Sequence, residues 1–133
     1  MARESGSSGK HCYDLIADCG LRAAADLLVH TWDPVVLAAL AQGPLRRREL
    51  RAAIGGVSDK ALTEALHRLL AAGLLERRRY REAPPRVDYA LTALGETFAK
   101  GPLQALADWA LAHADELAAA QEAGEERSPR PPA

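Results

Sequence analysis

Two clusters of arginine dominate the chemistry available to this 133-residue chain: Arg46, Arg47, Arg48 and Arg51, then Arg77, Arg78, Arg79, Arg81 and Arg86. A guanidinium fork matches the oxygens of a phosphate and keeps its charge at any physiological pH. Between the clusters lies a stretch with mixed donors and acceptors: Ser58, Asp59, Lys60, Thr63, Glu64, His67 and Arg68. Lysine can donate to guanine or to phosphate, threonine can serve either role, and glutamate can accept from the cytosine amine. Backbone N–H groups at a helix start near Ser58 would also hold a phosphate. A solvated arginine face, or an edge hairpin kept from aggregating by its charge, is the plainer reading of the same residues.

The remaining reactive groups are few. Cys12 and Cys19 are the two thiols. A helix N-terminus just after Cys19 would favour its thiolate, and Asp18 beside it opposes this. Both thiols are expected to be reduced at rest. His11, Cys12, Cys19 and His30 have metal-ligating types, but the C-x6-C spacing fits no standard zinc pattern, so neither a metal nor a cofactor is expected. The chain has no GxxxxGK[ST] loop, HExxH or GxSxG elbow, and no enzymatic role is expected.

These groups need elements to position them. Alanine and leucine make up 48 residues and aromatics only six, which favours helix over sheet. A chain of this length buries about two thirds of its unfolded surface and needs no disulfide to hold a core. Net charge is −1, yet residues 42–92 carry a local +5 and residues 104–133 a local −4. A basic middle of this kind is the electrostatic footprint of a phosphate-binding surface. The longest run without charge is 12 residues, Pro34 to Leu45, too short for a membrane span. No signal peptide or lipidation signal is recognised, and the expected location is the cytoplasm, on the nucleoid when DNA is bound.

Residues 1–10 and 123–133 read as mobile arms flanking one domain, 11–122. Helical patterning runs from Tyr13 to Leu28, with a break near Cys19-Gly20. Asp33-Pro34 reads as the cap and first residue of an apolar helix reaching Gln42. Leu45 to Ala53 reads as a second short helix. Ser58 caps a third, with Leu62, Leu66, Leu69 and Leu70 on its buried face, and Gly73 ends it. Leu74 to Tyr80 and Val87 to Leu91 read as two strands joined by a turn at Glu82–Arg86. Thr92 caps a helix through Phe98, and Pro102 opens a last one with Leu103, Leu106, Ala110 and Leu117 on one stripe. The expected fold is mainly α with a small β-hairpin wing, a winged helix-turn-helix, and dimeric.

Gly55-Gly56-Val57-Ser58-Asp59-Lys60-Ala61-Leu62-Thr63-Glu64-Ala65-Leu66 resembles the recognition segment of HxlR-type transcriptional regulators. The stretch from Ala72 to Arg77 and the run Pro84-Pro85-Arg86-Val87-Asp88-Tyr89-Ala90-Leu91-Thr92-Ala93-Leu94-Gly95 are similar to that family's wing and following helix. Trp32 and Ala107-Asp108-Trp109 match as well. The resemblance implies a homodimer joined through its terminal helices and bound to a double-stranded, near-palindromic DNA operator, with repression the expected outcome. It also implies a sensing cysteine at Cys19. A thiol-reactive inducer at Cys19 or Cys12, or a small molecule in a pocket lined by Tyr13, Trp32 and Trp109, is the expected releasing signal. Four positions depart from the family pattern: Gly20 stands where proline is usual, His30-Thr31 where Gly-Lys is usual, Arg47 where an apolar aromatic is usual, and Arg48 where a small polar residue is usual. An effector-binding or protein-interaction module without DNA binding is the alternative on the same fold.

Overall fold

The computed structural model describes residues 20–127. Its elements run in the order α1 (Gly20–Ala25), a 3₁₀ turn (Asp26–Leu28), α2 (Trp32–Leu40), β1 (Leu45–Arg46), α3 (Arg47–Ile54), α4 (Asp59–Ala71), β2 (Leu75–Tyr80), β3 (Arg86–Leu91), α5 (Ala93–Lys100) and α6 (Pro102–Arg127). The three strands form an antiparallel sheet in the order β1-β3-β2. Its register sets Leu45 opposite Tyr89, and Leu75 opposite Leu91. This is a winged helix: α3 and α4 are the helix-turn-helix, and the β2–β3 hairpin is the wing.

Local chemistry fixes most boundaries. The Ser58 hydroxyl accepts from the Ala61 N–H at 3.0 Å and starts α4. At the other end Gly73 adopts φ +80°, and the N–H groups of Gly73 and Leu74 return to the carbonyls of Leu70 and Leu69. That paired return is a Schellman cap, which needs a residue free to take positive φ. Thr92 caps α5 by accepting from Gly95 N–H, and its own hydroxyl donates to Gly73 O at 2.7 Å. One side chain thus ties the end of α4 to the start of α5. The core lies between α2, α3, α4 and the inner sheet face, with Leu37, Leu40, Leu50, Leu62, Leu66 and Leu69 almost fully buried.

Three boundaries differ from the sequence expectation. Asp33 is not a cap, because α2 already begins at Trp32 and Asp33 lies buried in its first turn. Its carboxylate is engaged by a guanidinium 35 residues away. Leu45 and Arg46 leave the expected helix to pair with β3, so α3 starts two residues later. α6 continues to Arg127, through residues assigned by composition to a tail, and bends at His113 (φ −123°, ψ 16°). The helical pattern expected from Tyr13 has its first described turn at Gly20, and Cys12, Tyr13 and Cys19 lie outside the described residues.

Candidate nucleic-acid interface

The outer side of α4 carries Lys60, Glu64 and His67, all exposed, at the i, i+4, i+7 spacing of one helical stripe. None of the three makes a hydrogen bond or ion pair with another described residue. The opposite side holds Leu62, Ala65, Leu66 and Leu69 in the core. The uncommitted stripe is therefore held outward by burial of its reverse face.

Beside the first turn of α4 is a groove of about 510 Å³ lined by Arg47, Arg48, Arg51, Ala52 and Asp59. Arg47 spans it. Its Nη2 donates to Asp59 Oδ1 at 2.8 Å, to Asp59 O at 3.1 Å and to Thr63 Oγ1 at 2.8 Å. Arg51 stands 3.8 Å from the same carboxylate and donates from Nε to Val57 O at 3.5 Å. The hydrogen bond and charge of Arg47, with the charge of Arg51 behind them, hold the Asp59 carboxyl below its ordinary value. Arg48 has no hydrogen bond or ion pair among the described residues and points to solvent. The Arg46 backbone N–H donates to Glu49 Oε1, which closes the first turn of α3.

The wing arginines fall into two groups. Side chains alternate across a strand, so Arg77 and Arg79 share the sheet face of Leu75 and Leu91, further out along the hairpin. With Arg81 beyond them, they are exposed and free of hydrogen bonds and ion pairs among the described residues. Arg78 and Arg86 are committed. Arg78 Nε donates to Glu76 at 2.8 Å, and Arg86 Nη2 donates to the buried Asp88 at 3.1 Å. The Arg86 guanidinium also lies 4.6 Å over the Tyr80 ring, and its Nε is buried without a hydrogen-bond partner among the described residues. Hydrogen bonds to Glu76 and Asp88 raise both guanidinium groups above their ordinary range.

The sequence grouped these residues by type, and geometry separates them by role. Ser58 acts as a cap. Arg68, placed by pattern on the groove side, spends Nε and Nη2 on both oxygens of Asp33 at 2.8–3.2 Å. That bond raises the Arg68 guanidinium above its ordinary range. Asp59 and Thr63 are joined to Arg47 instead of standing alone. Of the expected pocket lining, Tyr13 lies outside the described residues, Trp32 packs against the core, and Trp109 stacks on His113 with ring centroids 4.9 Å apart. The grooves beside α6 use other residues. One of about 590 Å³ lies against α2 (Val35, Ala38), and one of about 390 Å³ lies against α1 (Leu21, Ala24). Among the described residues there is no cluster of metal-ligating side chains, and no single helix is long and apolar enough to cross a membrane.

A winged helix with an uncommitted polar stripe on its second motif helix and free cations along its wing defines the class of helix-turn-helix DNA-binding proteins. Residues 27–118 match the HxlR-like helix-turn-helix family, and the chain belongs to that family. It is 41% identical over 91 residues to the HTH-type transcriptional regulator YtfH of Escherichia coli, covering 68% of this chain and 71% of that one. The solved transcriptional regulator ytfH from Salmonella typhimurium superposes with a TM-score of 0.65 at 36% identity, covering 79% of this chain and 93% of the other. The reduced form of the transcriptional regulator YodB from Bacillus subtilis matches with a TM-score of 0.62 at 31% identity, over 67% of this chain and 86% of that one. The protein is a transcriptional regulator of the HxlR type, not an enzyme.

Proposed function

We propose that the protein binds a near-palindromic operator as a homodimer, with α4 in the major groove and the wing on the flanking backbone, and that it represses. One observation carries the reading: Lys60, Glu64, His67, Arg48, Arg77, Arg79 and Arg81 are all exposed and make no hydrogen bond or ion pair among the described residues, while Arg47 and Arg51 share Asp59, Arg68 is held by Asp33, and Arg78 and Arg86 are held by Glu76 and Asp88. Lys60, Glu64 and His67 read base edges. Arg48 and the three free wing arginines hold phosphates, with Arg46 and Arg51 flanking them. Two-fold symmetry then sets the recognition helices about 34 Å apart, one turn of DNA.

The release signal in this reading is thiol chemistry at Cys19, with Cys12 as second thiol. The similar regulator YodB has been solved in a reduced form and after diamide treatment, which supports the choice. Binding measured against salt tests the whole scheme. Each phosphate neutralised contributes about −0.9 to the log–log slope, so Arg77→Ala or Arg79→Ala should lower its magnitude by about one. Arg68→Ala and Arg86→Ala, whose charges are already paired, should leave the slope unchanged. Wild type that shows no retention on duplex DNA at low salt would favour the interaction-module alternative. A Cys19→Ser protein released by diamide as readily as wild type would remove the thiol from the scheme.

A further inference from the structure

Thr63 lies one helical turn beyond Asp59 on the groove side of α4, half-buried, with its Oγ1 2.8 Å from Arg47 Nη2. The direction of that bond is not ambiguous. A guanidinium has donors and no acceptor, so the threonine oxygen must accept. A hydroxyl in water is free to donate or to accept as its neighbour demands. Here one lone pair is taken by a cation, which polarises the O–H and repels any second donor approaching the oxygen. What remains is the hydroxyl proton and a second lone pair that the adjacent cation disfavours for another donor, so the group is presented chiefly as a donor.

Arg47 is held in place for this task. The same Nη2 is fixed by Asp59 Oδ1 at 2.8 Å and Asp59 O at 3.1 Å, so its position is set by the first turn of the helix it serves. Its Nε and Nη1 make no hydrogen bond with described residues and remain free for a phosphate.

Resting on the DNA-binding reading above, we infer that Arg47 is a positioning residue that fixes the polarity of Thr63. Thr63 becomes a contact biased to donate, which selects a base acceptor (purine N7, guanine O6 or thymine O4) and disfavours cytosine at one position of each half-site. Cytosine presents only its N4 amine in the major groove, a donor facing a donor. The Thr63 methyl packs without penalty beside adenine or guanine and favourably beside the thymine methyl. Arg47 itself touches no base in this arrangement, so its influence on sequence choice passes entirely through the hydroxyl.

The test is selection from a duplex library with randomised half-sites, using the full chain as wild type, Arg47→Met, Thr63→Val and the double variant. Wild type should exclude cytosine by about tenfold at one position, the scale of a single unfavourable base pair. Arg47→Met should cut that exclusion below about threefold, because the hydroxyl regains its second role. Thr63→Val should remove it to the same extent, and the double variant should add nothing further, since both changes act on one bond. Thermal melting of each variant checks that the fold persists, and Arg47→Lys, a donor without the planar fork, should restore part of the exclusion. If Arg47→Met keeps the wild-type preference at every position, or if the two single effects add, Thr63 acts independently of Arg47 and the inference is overturned. If no variant changes cytosine exclusion although wild type selects an operator, the inference alone fails. If wild type selects no sequence and is not retained on duplex DNA, the DNA-binding reading fails and this inference with it.

Discussion

Residue type alone does not separate a cation that meets DNA from one that holds the protein together. Arg68 and Asp33 illustrate the second kind. The guanidinium makes a two-pronged contact with a carboxylate that is only 5% exposed, joining the last turns of α4 to the start of α2. Removing one partner of a fully buried pair costs about 3–5 kcal/mol, but Arg68 keeps about a third of its side chain in water, so screening reduces the loss. Asp33→Ala should therefore lower the unfolding free energy by about 2 kcal/mol. Urea unfolding monitored by far-UV circular dichroism measures this, and a loss below the error of the method would show that the pair is ornamental. Asp59 is a different case, being exposed. Its folded pKa is lowered, so whatever stability it gives is complete above the ordinary value of 3.8 and is lost as pH falls through the lowered folded value. The Arg47 clamp is thus intact throughout the neutral range.

Elements whose ends are fixed by their own residues were readable in advance. Ser58, Gly73, Thr92 and Pro102 each mark a boundary that follows from capping or from fixed φ, and each boundary falls where the sequence places it. What escaped is what depends on distant partners. β1 is two residues long and exists because Leu45 and Arg46 meet Tyr89 and Asp88, more than forty residues later. Asp33-Pro34 has the composition of a helix start, yet the carboxylate finds Arg68 and leaves the cap empty. The basic stretch was legible as a whole, but the division of its arginines into paired and free was not, because Asp59 reaches Arg47 through helix packing, and the i, i+2 contacts of Glu76 with Arg78 and Asp88 with Arg86 depend on which neighbours along a strand the side chains turn to. Close approach between elements is equally invisible to periodicity. Gly95, buried in the first turn of α5, lies against the backbone carbonyl of Leu74, and a Cβ there would collide with that oxygen. Backbone on both sides leaves no rotamer to relieve the clash. Gly95→Ala should destabilise by about 2–3 kcal/mol, although alanine is the better helix former. A melting temperature equal to or above wild type would show that α5 can lift from the sheet at no cost.

At the scale of the whole molecule, charge and apolar surface occupy different parts. Among the described residues the exposed, unpaired cations Arg48, Lys60, Arg77, Arg79 and Arg81 lie on the motif and the wing, while α1, the 3₁₀ turn after it and α6 expose Leu21, Leu28, Leu106, Trp109, Leu111 and Leu117. Leu111 is 82% exposed and Trp109 50%, on helices rich in alanine, whose small side chains permit close approach. A second copy of the chain packed along these helices would cover this surface and set the spacing of the two recognition helices. Leu106 is the informative position, since it lines both grooves beside α6 and is still 45% exposed in the single chain. Its loss would remove intersubunit contact without opening the core formed by Leu37, Leu62 and Leu66. Light scattering of wild type at micromolar concentration should give twice the 14.2 kDa chain mass. Leu106→Asp should shift it to the single-chain mass with helical circular dichroism retained, because a buried carboxylate at an apolar interface costs several kcal/mol. The wild-type melting temperature should rise with protein concentration, as linkage requires of an associating system, and that of the variant should not. Operator affinity should fall in the variant and the salt slope should fall with it, because each half keeps its own phosphate contacts and loses the partner's. A wild type that stays monomeric across this concentration range, or a Leu106→Asp chain that remains a dimer, would place the pairing surface elsewhere.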